Sequence, residues 1–139
     1  MARGSLPEMT PRKPFLDPSG FDWIWFLFKI HGRASRSDLW LRLVLPVFVI
    51  QFVLVSIDIA AGGFNPESQI GTLSGIFSAL TLWPGIAVTI KRLHDRDRSG
   101  WFMLIALIPF IGPLWLFVET GFLSGTQGAN RFGAERRRD

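Results

Sequence analysis

The chain has 139 residues, of which 48% are hydrophobic and 19% charged, and its formal net charge is +4. This length suggests one domain, and the gathering of apolar residues into long blocks is typical of a membrane protein. The sequence has no Cys, which excludes disulfides, thiolate metal sites and cysteine nucleophiles, and its two His leave little for a histidine-rich metal site. We predict no metal and no cofactor.

The basic residues flank the apolar blocks, as the positive-inside rule expects of cytoplasmic segments. Their predicted partners are anionic lipid headgroups, and nucleic acid is not expected. The location predicted from this pattern is a membrane that the chain crosses more than once, with the basic segments at its cytoplasmic surface.

Residues 1–20 are predicted to form an extended arm, because Pro7, Pro11, Pro14 and Pro18 oppose a continuous helix. The arm lacks the apolar region of a signal peptide. Residues 21–31 are rich in Trp and Phe but too short for a span, which needs about 20 residues. We predict an interfacial helix on the cytoplasmic face, with a helix packed against the rest of the bundle as the alternative.

A basic turn at residues 32–38 precedes the first predicted span, residues 39–61. Ser35 or Ser37 is expected to cap this helix, and Pro46 to kink it. Asp58 lies near its far end and is a candidate intramembrane ionisable group. The loop at 62–69 carries no Lys or Arg, so it is predicted to lie outside the cytoplasm.

The second predicted span, residues 70–90, carries small residues at a spacing that lets another helix approach closely. We predict a helix-packing or partner interface there, formed by Gly71, Gly75, Ser78 and Ala79. The sequence Trp83-Pro84-Gly85 is expected to interrupt the regular helix. Residues 91–99 are predicted to form a charged cytoplasmic loop.

The third apolar block, residues 100–123, contains two prolines, Pro109 and Pro113. A single kinked span is the preferred prediction, because the block is short for two crossings. A broken or re-entrant pair of helices is the alternative, allowed where protein covers the exposed backbone. The pair would return the arginines of the tail to the cytoplasm, in keeping with the positive-inside rule.

Several segments together resemble the DUF805 family of small bacterial inner-membrane proteins of unknown function. They are Gly32-Arg33-Ala34-Ser35-Arg36 followed by Trp40, then Pro84 leading into Arg92-Leu93-His94-Asp95 and Arg98-Ser99-Gly100-Trp101, then Ile108-Pro109 with Ile111-Gly112, and finally the turn with Asn130, Arg131 and Gly133. Lys91 and Asp97 depart from the family pattern but keep this region polar. The resemblance runs from about Trp23 to Gly133. It implies a multi-pass protein of the bacterial inner (cytoplasmic) membrane and brings no established activity.

The domain organisation that follows is an arm at 1–20, a membrane domain at 21–133 and a basic tail at 134–139. The fold class is all-α: a bundle of about three transmembrane helices with an N-terminal interfacial helix.

The charged side chains are predicted to form a cytoplasmic hydrogen-bonded network, or to contact headgroups. These residues are Arg33, Arg36, Lys91, Arg92, His94, Asp95, Arg96 and Arg98. Glu119 is a second candidate intramembrane ionisable group beside Asp58. No residue is assigned a catalytic role, since adjacent His94 and Asp95 would point in different directions on a helix.

The predicted function is therefore non-enzymatic: an accessory, assembly or scaffold subunit of a larger inner-membrane complex. A small homo-oligomeric transporter or channel and an anionic-lipid-binding module are the alternatives. The predicted partners are membrane lipids and other membrane-protein subunits or further copies of the chain.

Overall fold

A computed structural model describes residues 22–135 of the chain, so the arm at 1–20 and most of the tail lie outside it. The elements are helix α1 (Trp23–Phe28), a π-helical segment (Asp38–Val44) continuing into α2 (Leu45–Ala60), strands β1 (Phe64–Asn65) and β2 (Ile70–Gly71), helix α3 (Thr72–Asp95), a 3₁₀ helix (Gly100–Leu107) and helix α4 (Ile111–Gly121). The described chain is thus mostly helical, as expected.

Two helices of the described part are long and apolar enough to cross a membrane: Asp38–Ala60 and Thr72–Asp95. Most of their large apolar side chains, such as Phe48, Phe52 and Leu80, lie on the surface of the protein. The core helix of a soluble protein would bury such side chains, so the two helices fit insertion into lipid. The third predicted span is not confirmed.

The helix that leads into α2 begins with two reciprocal hydrogen bonds. The Ser35 N–H donates to Asp38 Oδ2 (3.1 Å), and the Asp38 N–H donates to Ser35 Oγ (3.2 Å). Ser35 is therefore the capping residue, and it was one of the two predicted candidates. The π-helical segment ends where Leu45 N–H donates to Trp40 O, directly before Pro46, which has no N–H to donate.

Asp58 joins the end of α2 to the start of α3. Its carboxylate is buried and accepts hydrogen bonds from Leu73 N–H (2.9 Å), Ser74 N–H (2.8 Å) and the Ser74 hydroxyl (2.7 Å). A carboxylate at this place satisfies free N–H groups of the first helical turn and complements the helix dipole. The approach is so close that a Cβ at position 71 would overlap the carboxylate, which explains Gly71.

Between α2 and α3 the chain forms a small antiparallel hairpin, which the sequence reasoning did not predict. Phe64 pairs with Gly71, and Asn65 pairs with Ile70. The Asn65 side chain accepts hydrogen bonds from the N–H groups of Glu67 and Ser68, which closes the turn.

Helix α3 is longer than the sequence suggested. It continues through Pro84 without interruption and ends at Asp95, so both the predicted break at 83–85 and the predicted loop at 91–95 are wrong. Proline is tolerated in apolar helices where the surroundings accommodate it. The extension matters because residues three or four apart on a helix share one face, and this places Arg92 beside Asp95.

The third apolar block folds back on itself. Its 3₁₀ helix of 8 residues and α4 of 11 residues pack against each other, and Phe110 between them has a φ of +62°. Glu119 near the end of the block bonds to Arg96 and Arg98 just before its start. The block is therefore not one continuous helix, and its shape follows the alternative of a broken helix pair.

Helix α1 packs against α3, which was the alternative to an interfacial helix. Phe26 is fully buried in a core with Ala34, Leu39, Leu43 and Val88. The interfacial location itself is not confirmed. The Lys91 ammonium donates to the carbonyl groups of Trp25 (2.7 Å) and Phe26, where a cation complements the C-terminal end of the α1 dipole.

Replacing Asp58 should loosen the α2–α3 connection. We expect Asp58→Ala to lower the thermal unfolding midpoint in mild detergent by several degrees, because the first turn of α3 loses its acceptor. Glu67→Ala is the matched control, since it removes an exposed carboxylate from the same connection. Equal midpoints for the two variants would contradict the role given to Asp58.

Candidate functional site

A buried cluster of three charged side chains lies at the end of α3. It consists of Arg33, Arg92 and Asp95, and we call it the charge cluster. Asp95 Oδ1 accepts from Arg33 Nε at 2.9 Å, and Asp95 Oδ2 accepts from Arg92 Nη1 at 2.7 Å. The relative exposure of the three residues is 3%, 0% and 6%. One carboxylate therefore bridges two guanidinium groups from distant parts of the chain.

The cluster has two guanidinium groups and one carboxylate, so it keeps one net positive charge. Main-chain carbonyl groups stabilise that charge by accepting hydrogen bonds. Arg92 donates to Thr120 O (2.7 Å) and Leu123 O (2.9 Å) at the end of α4, and to Ala34 O (3.2 Å) in the basic turn. The C-terminal end of a helix carries a partial negative charge that suits a cation. Arg92 thus connects α3 to the basic turn and to the end of the helix pair.

Arg33 binds the segment that follows α4. Its guanidinium donates to Thr126 O and Gly128 O, both at 2.7 Å. Gly125 passes so close that a Cβ there would overlap the Asp95 carboxylate. The main chain of the C-terminal segment is therefore held against the end of α3. Because every residue has a carbonyl group, these contacts leave no recognisable motif in the sequence.

The turn at Asn130–Gly133 docks on the same end of α3. The Asn130 amide donates to His94 O (2.9 Å) and to Thr126 Oγ1 (2.8 Å), while the rings of His94 and Phe132 stack at 4.0 Å. His94 Nδ1 lies 3.1 Å from Gly32 O. His94 is thus part of a packed contact, and its orientation differs from that of Asp95.

Further ion pairs surround the cluster. Glu119, with 3% exposure, accepts from Arg96 Nε (2.8 Å) and Arg98 Nε (3.2 Å), and Arg96 also donates to Ser124 O (2.6 Å). Arg131 pairs with Asp97 at 3.2 Å in an exposed position. Glu119, a candidate intramembrane ionisable group, therefore lies in a site with two arginines.

Arg36 and Trp40 bind consecutive carbonyl groups at the C-terminal end of α4. Arg36 Nη1 donates to Phe122 O (3.0 Å), and the Trp40 indole donates to Gly121 O (2.9 Å). Unlike Arg33 and Arg92, Arg36 is exposed.

Below these contacts, an open cleft of about 700 Å³ lies between α2, α3 and the helix pair. Its walls are mainly apolar and include Leu43, Val47, Ile86, Met103, Leu116 and Phe117. Trp40, Thr120 and Gly121 line one end, and Gln51 and Ser78 line the other. The sequence reasoning did not identify this cleft, because its walls come from four separate elements.

The predicted small-residue interface is divided in the structure. A Cβ at position 75 would lie too close to the Ile70 side chain, and a Cβ at position 71 would overlap the Asp58 carboxylate. Both glycines therefore allow close contacts within the chain. Ser78 and Ala79 are exposed. An interface with a partner at this stripe stays a prediction.

The contacts around the charge cluster stabilise the fold by joining separate segments of the chain. Buried guanidinium and carboxylate groups that are fully hydrogen-bonded hold segments in place. Among residues 22–135, no group of three or more His, Asp or Glu is placed to hold a metal ion.

Asp95→Asn should strongly destabilise the protein. The isosteric amide leaves Arg33 and Arg92 buried without their carboxylate, and breaking a buried pair in this way costs about 3–5 kcal/mol. Asp97→Asn is the matched control, because the exposed Arg131–Asp97 pair is worth at most about 1 kcal/mol. Denaturant unfolding of both variants in detergent measures the difference, and equal losses would contradict the structural role of Asp95.

Comparison with known proteins identifies relatives of this chain. The model of the family described as "Protein of unknown function (DUF805)" matches residues 27–134. The chain is 37% identical to the inner membrane protein YhaH of Escherichia coli K12, over 82% of this chain and 95% of YhaH. It is 36% identical to the inner membrane protein YhaI of the same strain, over 73% of this chain and 80% of YhaI. No solved structure matches the chain. The chain belongs to the DUF805 family of membrane proteins.

Proposed function

We propose that this protein is a non-enzymatic, multi-pass inner-membrane protein that acts as a scaffold or accessory subunit for other components of the membrane. The observation that carries the proposal is the charge cluster. Arg33, Arg92 and Asp95, which belong to the segments that resemble the family, bind other parts of the same chain. Because these family-motif residues hold the fold together, they support a structural role. The surface that they help to form is what a partner would bind.

The outer surface supports lateral association within the bilayer. Large apolar side chains are exposed along α2, α3 and α4, including Phe52, Leu80, Trp83 and Trp115. In water such a surface would be an aggregation hazard, whereas in a membrane it meets lipid or the helices of other proteins. The relatives YhaH and YhaI are themselves named inner membrane proteins.

We further propose the orientation of the chain. The end of α3 that carries the charge cluster faces the cytoplasm, and the β1–β2 hairpin lies on the periplasmic side. The helix pair enters from the cytoplasmic side and returns to it, which keeps Arg131 and the tail in the cytoplasm. A pore formed by several copies has less support, because Asp58 and Glu119 are hydrogen-bonded at different places in the fold.

Single cysteines test this orientation, since the natural sequence has none. In spheroplasts, a membrane-impermeant maleimide should label Ser68→Cys in the β1–β2 turn but not Gln127→Cys after α4. Gln127→Cys should react once the membrane is permeabilised. Labelling of Gln127→Cys in sealed spheroplasts would mean that the third block crosses the bilayer, against the proposal.

Co-purification tests the scaffold role. We expect the tagged protein, extracted in mild detergent from its own membranes, to bring with it a stoichiometric membrane-protein partner identified by mass spectrometry. Asp95→Asn should lose this partner, because the shape of the cytoplasmic end is disrupted, and Asp97→Asn should keep it. A wild-type protein that always runs alone would contradict the accessory role.

A further inference from the structure

We infer that the cleft between α2, α3 and the helix pair binds one acyl chain of an anionic glycerophospholipid from the cytoplasmic leaflet, with Arg36 binding the lipid phosphate. The inference rests on the membrane orientation proposed above and does not depend on the accessory role. The volume of the cleft, its depth and the positive charge of Arg36 beside it favour this occupant.

The chemistry of the cleft walls suits a hydrocarbon chain. Its volume of about 700 Å³ lies within the range of ligand sites, about 300–1,000 Å³. Apolar residues, among them Leu, Val, Ile, Met and Phe, line most of it, and its polar groups are few. Apolar walls that open to a bilayer gain by contact with an acyl chain.

The depth of the cleft corresponds to one leaflet. From Trp40 at one end to Gln51 at the other, the helix rises about 16 Å. Half of a hydrocarbon core of about 30 Å is similar. A transmembrane helix of a partner would cross the full thickness, whereas the helix pair that forms one wall turns back at Phe110.

A positive charge beside the Trp40 end of the cleft favours a lipid with a net negative charge. Arg36 and Trp40 bind the consecutive carbonyls of Phe122 and Gly121, so the guanidinium lies beside an indole that lines the cleft. The Arg36 side chain is exposed and donates one hydrogen bond within the described residues. A guanidinium has five N–H donors and binds phosphate well, so donors are left for a lipid phosphate.

Gly85 offers a way to fill the cleft without disturbing the fold. It lines the cleft, and a Cβ added there meets no atom within 4 Å. Gly85→Leu also favours the helix, since Gly is a poor helix former. The variant should therefore occupy the space of the acyl chain in a folded protein.

The experiment is native mass spectrometry of the full chain, purified in detergent and offered equal amounts of phosphatidylglycerol and phosphatidylcholine with identical acyl chains. We expect the wild type to retain one phosphatidylglycerol with a preference of about tenfold. Both lipids carry a phosphate that can accept from Arg36, but the choline cation of phosphatidylcholine offsets the attraction, so only phosphatidylglycerol brings a net negative charge to the guanidinium. Arg36→Gln should reduce the preference to near unity. Lys29→Gln, which removes an exposed charge at the end of α1, should keep it. Gly85→Leu should lose the retained lipid.

Three results would overturn the inference: no retained lipid, equal retention of both lipids by the wild type, or undiminished retention by Gly85→Leu at an unchanged unfolding midpoint. Retained preference in Arg36→Gln would also overturn the assignment of the phosphate site. Failure of the proposed membrane placement gives a different result, because Gln127→Cys would then react in sealed spheroplasts.

Discussion

The rest of the structure depends on the carboxylate of Asp95, which bridges Arg33 and Arg92 in a buried position. Burying three charged groups costs several kcal/mol each unless they are fully paired. The carbonyl groups of the basic turn, of the end of α4 and of the C-terminal segment provide that pairing. Because these carbonyls come from three different segments, the network positions all three of them against the end of α3.

Two carboxylates act at opposite ends of α3. Asp58 satisfies the first turn of the helix, and Asp95 gathers its partners at the last turn. In both places a glycine, Gly71 or Gly125, allows the main chain to approach the carboxylate. Ionisable groups within apolar segments are often functional. Here their hydrogen bonds to other parts of the chain give both carboxylates a structural role.

The cleft exists because the third apolar block turns back at Phe110. The returning helix pair packs against α3 but leaves an open cleft towards α2. The bonds from Arg36 and Trp40 to the carbonyls at the end of α4 hold the pair at the end that carries the charge cluster. The polar residues thus shape the site, while apolar side chains form its walls.

The sequence by itself determined the membrane character, the two long apolar helices and the family, since these follow from composition, segment length and the order of local motifs. It also narrowed the capping residue to Ser35 or Ser37, because capping depends on neighbours within one turn. Only the tertiary structure decided the end of α3 at Asp95, the return of the third block and the cleft. These depend on contacts such as Arg33 with Thr126 and Arg92 with Thr120. Residues so far apart leave no periodicity in the sequence, and carbonyl acceptors are present in every residue type.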